Sequence, residues 1–424
     1  MIGMSSRRHS IALRCLSSGG GKRWGLGYPG LPMTARMLRM LGLTIGLVSL
    51  GEVLILHWAA LVLRGSGLSL GQALLGGVGF GALNALAFPW SRRRIHARGL
   101  ALVLSRTWIL GSIAALFTGV LLATVFVVVG GAGALLGGES GVDAALVWLG
   151  GAVVALGFGS VAWGASVGNY RVRVDSVSLP LRGASASLEA LRIVQATDFH
   201  IGPLLRAERL RGFVKRINQL EPDLVVLTGD LFDFDPAYVE EGCRELGNLQ
   251  ARLGVYAVLG NHDVYTGIDA VVEGLRSLTS IRLLRDEWER IDVDGAALAI
   301  VGIDDTGQGW TEREAESSAL ERLAREIPDD LPRLLLAHRP SYFTHASQLG
   351  FPLVLSGHTH GGQVALPFAH HLNPSRMISD RTRGIFRNGA GTLYVSRGLG
   401  MAGLPLRINC PREITLIQLV AEPS

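Results

Sequence analysis

The chain is almost without lysine: Lys22 and Lys215 are the only two among its 40 basic residues. Its three cysteines, Cys15, Cys243 and Cys410, are too few and too far apart for a disulfide framework, and no pair has the spacing of a thiolate metal site. Charge is scarce too, at 18% of residues, whereas 48% are hydrophobic and 56 are glycine. That balance lies outside the range of an ordinary soluble protein. The scarcity is also uneven, because only three acids (Glu52, Glu139 and Asp143) occur before Tyr170. The net charge of +5 rests on arginines, several of which flank apolar runs where membrane topology accounts for them, so no nucleic-acid partner is expected.

What is present divides the 424 residues into four parts. Residues 1–36 read as a disordered basic tail, 37–168 as a transmembrane region, 169–190 as a linker and 191–424 as an α/β domain. Four apolar stretches fill the second part: Leu38–Leu63, Leu68–Trp90, Trp108–Leu136 and Val142–Val167. Each exceeds the roughly 20 residues needed to cross a hydrocarbon core. Arginines crowd the tail, the link holding Arg92, Arg93, Arg94, Arg98 and Arg106, and the segment holding Arg171, Arg173 and Arg182. The other two links hold only Arg64, or the acids Glu139 and Asp143. This alternation predicts a multi-pass protein of the cell (inner) membrane with tail, middle loop and C-terminal domain in the cytoplasm. Glu52 and His57 fall inside the first span and are read as a packed or snorkelling polar pair, the alternative being functional intramembrane groups.

After Leu191 short apolar runs alternate with amphipathic ones. Strands are expected at Leu191–Thr197, Asp223–Thr228, Val255–Leu259, Leu298–Gly302, Arg333–Ala337, Leu353–Ser356, Leu393–Ser396 and Glu413–Leu419. Helices are expected at Arg206–Leu220, Val239–Ala251, Ile268–Leu278 and Glu312–Glu326. The chemistry-bearing residues follow the C-terminal ends of five strands, where an α/β sheet opens to a ligand crevice. They are Asp198-Phe199-His200, Gly229-Asp230-Leu231-Phe232-Asp233, Gly260-Asn261-His262-Asp263, His338, and Gly357-His358-Thr359-His360-Gly361-Gly362-Gln363. Five of 11 histidines fall in this series. Carboxylate, amide and imidazole donors repeated at strand ends point to a metal site without thiolate.

The series resembles the calcineurin-like metallophosphoesterase superfamily, and more narrowly its bacterial membrane-associated branch ending in the GHTHGGQ motif. The resemblance covers about Leu191–Leu419 and implies a layered domain, a β-sandwich flanked by helices. It implies that Asp198, His200, Asp230 and His360 hold one divalent metal, and that Asp230, Asn261, His338 and His358 hold a second. Mn, Fe, Zn or Co suits such donors. A metal pair lowers the pKa of a bridging water and clamps phosphoryl oxygens. By the same resemblance His262 is the general acid and Asp233 its orienting partner. Asp263, Asp304 and Asp305 read as structural, and Gln363 and Arg407 as candidates for substrate contact. The expected activity is hydrolysis of a phosphodiester or pyrophosphate bond on a phosphorylated small-molecule or lipid substrate. The alternatives are a soluble cyclic nucleotide or phosphoprotein substrate, or a non-catalytic membrane sensor. No oligomeric interface is legible.

Overall fold

Residues 35–94, 99–136, 139–309, 311–366 and 368–422 are described in the computed structural model. The basic tail expected over 1–36 lies outside them, apart from Ala35 and Arg36 at the start of the first helix. Four long helices come first: α1 (Ala35–Arg64), α2 (Leu70–Arg94), α3 (Leu100–Leu136) and α4 (Glu139–Trp163). All four are long and apolar enough to cross a membrane. Glycine lets two of them touch. An added Cβ at Gly51 of α1 would overlap the Ala115 carbonyl of α3, and one at Gly119 would overlap Gly51 itself. Glu52 is hydrogen-bonded within this bundle by Asn84 Nδ2 at 2.7 Å, which also reaches Ser49 Oγ at 3.1 Å. Helix α4 passes into a π-helical turn, Gly164–Gly168.

The remaining chain runs β1 (Val172–Arg182), α5 (Ala186–Glu189), β2 (Arg192–Ala196), α6 (Ala207–Asn218), β3 (Leu224–Thr228), α7 (Val239–Leu246), β4 (Val255–Val258) and α8 (Asn261–Leu278). Next come β5 (Arg282–Leu283), β6 (Glu287–Val293), β7 (Ala296–Ile303), α9 (Ser318–Glu326), β8 (Arg333–Ala337) and α10 (Phe343–Gln348). The chain closes with β9 (Leu353–Ser356), β10 (Gly384–Asn388), β11 (Gly391–Val395) and β12 (Arg412–Glu422). The strands form two six-stranded mixed sheets, ordered β1-β12-β2-β3-β4-β5 and β10-β11-β9-β8-β7-β6. Leu179, Ile193, Val226 and Val258 of the first share one buried cluster with Ile300, Leu334 and Leu355 of the second. Helices α6, α7 and α8 cover the outer face of the first sheet, through Phe213, Leu246 and Leu275. Helices α9 and α10 cover the second, through Leu323 and Phe343. The expected β-sandwich flanked by helices is therefore present.

Residues 169–190 are not a linker. They carry β1, which pairs in parallel with all of β12 from Val172↔Arg412 to Arg182↔Glu422. Its buried Leu179 and Leu181 alternate as a half-buried strand should, but the partner lies some 240 residues away, beyond the reach of local pattern. Helix α8 starts at Asn261 rather than Ile268, because the helical pattern is interrupted at Gly267 (φ 118°). Helix α9 starts late, where Ser317 accepts from the Leu320 amide at 3.2 Å.

Candidate metal centre

Parallel pairing of β2, β3 and β4 in one sheet, and of β7, β8, β9 and β11 in the other, brings the C-terminal ends of these strands to one side. The segments leaving β2, β3, β4, β8 and β9 carry all seven candidate ligands, Asn261 as the first residue of α8. Five of those seven, Asp198, His200, Asp230, His358 and His360, have positive φ between 48° and 71°. Non-glycine residues in that region cost on the order of 1–3 kcal/mol each, and such strain concentrates at functional sites. Gly260 makes room for the carboxylate beside it, since an added Cβ there would overlap Asp230 Oδ1.

Three donor clusters result, each with its ligand atoms within 4.8 Å of one another: Asp198–His200–His360, Asp230–His338–His358 and His200–Asp233–His262. Asp230 Oδ2 lies between the first two, 3.4 Å from His200 Nε2 and 3.2 Å from His338 Nε2. The other Asp230 oxygen accepts from the His262 amide at 2.8 Å. Asp198 accepts from the His358 amide at 2.9 Å and approaches His360 Nε2 at 3.5 Å. Asn261 is buried beside Gly260, and its Oδ1 has no hydrogen-bond partner. His262 Nδ1 lies 3.1 Å from Asp233 Oδ1. The same carboxylate oxygen is 3.5 Å from His200 Nδ1.

The donors fit divalent metal. His338 Nδ1 donates to the Thr228 carbonyl at 2.9 Å, which aims its Nε2 at Asp230 Oδ2 and at His358 Nδ1, 3.2 Å from each. His200 Nε2 and His360 Nε2 face each other at 2.9 Å. Lone pairs and carboxylates converge this closely only around a shared proton or cation. The electrostatics agree. Burial would raise the Asp230 carboxyl, but His338 and His262 outweigh it and hold it well below the usual carboxylate range. Desolvation pulls His338 down, yet the Asp230 carboxylate lifts it to about 10. Burial, with His200 and Arg407 nearby, keeps His360 well below its ordinary value. Burial also works against the Asp233 charge, but its hydrogen bonds to His200 and His262 bring it down to about 2.

A metal-free His338 that holds its proton up to about pH 10 must lose it to become a ligand. Loading the apo-protein with Mn²⁺ at about pH 7.5 should therefore release about one proton per chain or more. Titration calorimetry in two buffers of different ionisation enthalpy reads this number. Heats that do not depend on buffer would contradict the assignment of His338.

Other polar residues near the cluster are engaged by the protein's own hydrogen bonds and ion pairs. Asp263 ties its own loop, accepting from the Phe232 and Gly260 amides at 2.9 and 2.8 Å. Asp304 pairs with Arg285 and Asp305 with buried Arg339. Arg407, expected near substrate, is wholly buried and donates to the carbonyls of Arg397, Gly398, Gly400 and Cys410. Gln363 spends both ends of its amide on Ala402. Two neighbours escaped the sequence reading. Phe234 and Tyr265 stack on each other with ring centroids 5.8 Å apart, and both meet the His262 ring edge-on. Adjacency to Asp233 was the only available signal for Phe234.

A helix-flanked double sheet with a histidine–carboxylate cluster at its strand ends defines the metallophosphoesterase class. Comparison with known proteins agrees: residues 191–362 match the family model for calcineurin-like phosphoesterases. An uncharacterised metallophosphoesterase of Aquifex aeolicus is 32% identical over 59% of this chain and 92% of its own length. One from Bacillus subtilis is 32% identical over 54% of this chain and 79% of its own. A Bos taurus "transmembrane protein with metallophosphoesterase domain" is 33% identical over 59% of this chain, which spans 57% of that relative. The chain belongs to the calcineurin-like phosphoesterase family, whose members hydrolyse phosphoric esters with divalent metals.

Proposed function

We propose that the chain is a membrane-anchored hydrolase that cleaves a phosphodiester or pyrophosphate bond at a two-metal site. The domain boundary that matters falls near Val172 rather than Leu191, since β1 completes the first sheet. The observation that carries the reading is the position of Asp230 Oδ2 between His200 and His338, where one carboxylate serves two donor clusters. Asp198, His200, Asp230 and His360 would hold one cation, and Asp230, Asn261, His338 and His358 the other. Cations bound there supply Lewis acidity and lower the pKa of water.

The chain's own residues do the rest. The Asp233 carboxylate accepts from His262 Nδ1 at 3.1 Å and so fixes the ring with Nε2 free to carry a proton to a leaving oxygen. Phe234 and Tyr265 pack around that ring and keep bulk water from part of its surface. The cytoplasm is the compartment the arginine pattern supports, and the cell membrane the one the four helices support. An amphiphilic substrate suits a domain whose first strand begins at Val172, four residues after the π-helical turn that follows α4. A soluble cyclic nucleotide or phosphoprotein is the second reading.

Purified full-length chain, stripped with chelator and reloaded with Mn²⁺, should hydrolyse bis-p-nitrophenyl phosphate. His262→Asn should lower kcat on alkyl phosphodiesters by about 10²–10³-fold, and by far less on the p-nitrophenyl ester, whose leaving group needs no proton. Equal losses on both esters would remove His262 from the acid role. Absence of metal-dependent hydrolysis would favour the sensor reading.

A further inference from the structure

Trp90, Trp108 and Trp163 mark one end of the helical bundle. Trp90 is near the end of α2, Trp108 near the start of α3 and Trp163 at the end of α4. Helices α3 and α4 run antiparallel, with Leu110, Ile113 and Ala114 beside Val161 and Ala165 at this end and Gly133 beside Val142 at the other. Tryptophans at helix ends sit at the headgroup level of a bilayer. Ile113 is five residues past Trp108, about 7.5 Å further toward the bilayer centre.

Part of the metallophosphoesterase domain packs on the helices at this level. Leu406, Val364 and Ile408 join Leu110, Ile113, Ala114, Val161 and Ala165 in one apolar cluster. The contact is also hydrogen-bonded, because the Arg407 amide donates to the Gly164 carbonyl in the π-turn at 3.1 Å. Val364 and Ile408 lie on adjacent strand segments, with the Ala365 amide donating to the Ile408 carbonyl at 3.0 Å. Val364 is four residues past His360, so the same chain segment carries a candidate ligand at one end and a contact with the helical bundle at the other.

Beyond Val364 and the buried Ala365, several apolar side chains are uncovered. Leu366, Phe368, Leu372 and Met377 are all exposed, Phe368 completely. The Leu366↔Ala369 bridge closes a tight turn with Phe368 at its tip, at φ 66°. A bulky residue held in the left-handed region with no protein contact to reward it is poorly explained by folding stability. No acid occurs between Val364 and Ser379, while His370, His371 and Arg376 do, a balance that suits an anionic headgroup layer.

We infer that Leu366, Phe368, Leu372 and Met377 form an interfacial anchor that dips into the same bilayer face the helices enter, bringing the lip of the metal site to the lipid surface. The anchor itself is independent of catalysis; its consequence, that amphiphilic phosphoesters reach the site from the bilayer, rests on the hydrolase reading above. Continuity with the Leu406–Ile113–Val161 cluster is what selects lipid over a second protein chain as the occupant.

Two measurements test the two parts separately. The full chain carrying Cys15→Ser and Phe368→Cys, labelled with an environment-sensitive fluorophore, is reconstituted in vesicles of anionic phospholipid; Cys243 and Cys410 are buried. Vesicles with brominated acyl chains should quench the label and shift its emission to the blue. Unquenched, water-like emission overturns the anchor. So does a blue shift without quenching that grows with protein concentration, which would mean two copies meet there.

In the second measurement Leu366→Asp/Phe368→Asp is assayed on a vesicle-borne amphiphilic phosphodiester and on soluble bis-p-nitrophenyl phosphate. The first rate should fall about tenfold, by loss of interfacial apolar contact, with the second unchanged. Equal rates of the variant and the parent on both substrates overturn surface access while leaving the hydrolase reading intact. Quenching in a chain that hydrolyses neither substrate supports the anchor and removes the hydrolase.

Discussion

Asp230→Asn should lower kcat on bis-p-nitrophenyl phosphate by on the order of 10³-fold while leaving the fold in place. The expectation follows from what the carboxylate touches. One oxygen faces both His200 and His338, at 3.4 and 3.2 Å, and the other accepts from the His262 amide at 2.8 Å. An amide of the same shape keeps one acceptor for the His262 backbone. It loses the negative charge that two cations would share, and its nitrogen turns a donor toward one of the clusters. Several kcal/mol of charge stabilisation is at stake, and each 1.36 kcal/mol is a factor of ten in rate.

The substitution should not unfold the chain, because the site without metal is a cluster of strained, mutually opposed groups whose apolar surroundings stay packed. Metal content after dialysis, measured alongside circular dichroism, separates loss of ligand from loss of fold. Wild-type activity with wild-type metal content would sink the bridging assignment.

The candidate ligands were legible because metal coordination leaves a local trace. Asp198 and His200, like His358 and His360, stand two apart after an apolar run, and Gly229, Gly260 and Gly357 immediately precede Asp230, Asn261 and His358. The inner strands were legible for a similar reason: β3 is five consecutive buried residues, Leu224–Thr228, which read as apolar without any partner being known. What escaped depends on distant chain. The alternation in β1 acquires meaning only against β12, and β10 is a half-exposed edge strand with no continuous apolar run. The role of Arg407 was invisible for another reason. An arginine after a glycine-rich segment near the ligand series reads as a candidate for substrate contact, and only the fold shows it turned inward onto carbonyls.

That inward turn makes Arg407 the second residue whose loss should be severe. It is wholly buried, and its side chain takes the carbonyls of Arg397, Gly398, Gly400 and Cys410 at 2.8–3.3 Å. The segment it gathers is the one pressed on Asp198. The Leu399 amide donates to the Thr197 carbonyl at 2.9 Å, and the Gly400 amide to the Asp198 carbonyl at 2.5 Å. An added Cβ at Gly400 would overlap both Phe199 and Asp198 backbone.

Arg407→Ala leaves several buried carbonyls without donors and a void where the guanidinium lay, at a cost of about 3–5 kcal/mol. Arg407→Lys keeps the charge but not the fork that reaches several carbonyls at once, and should cost about 1–3 kcal/mol. Both variants should release Mn²⁺ more readily, the alanine more than the lysine, because the backbone that sets Asp198 at φ 52° loses its clamp. Hydrogen exchange of the Leu399 and Gly400 amides gives the readout a general loss of stability would not. Exchange there should rise well before that of β3 or β8, and uniform acceleration throughout the domain would mean that Arg407 stabilises the fold without positioning Asp198.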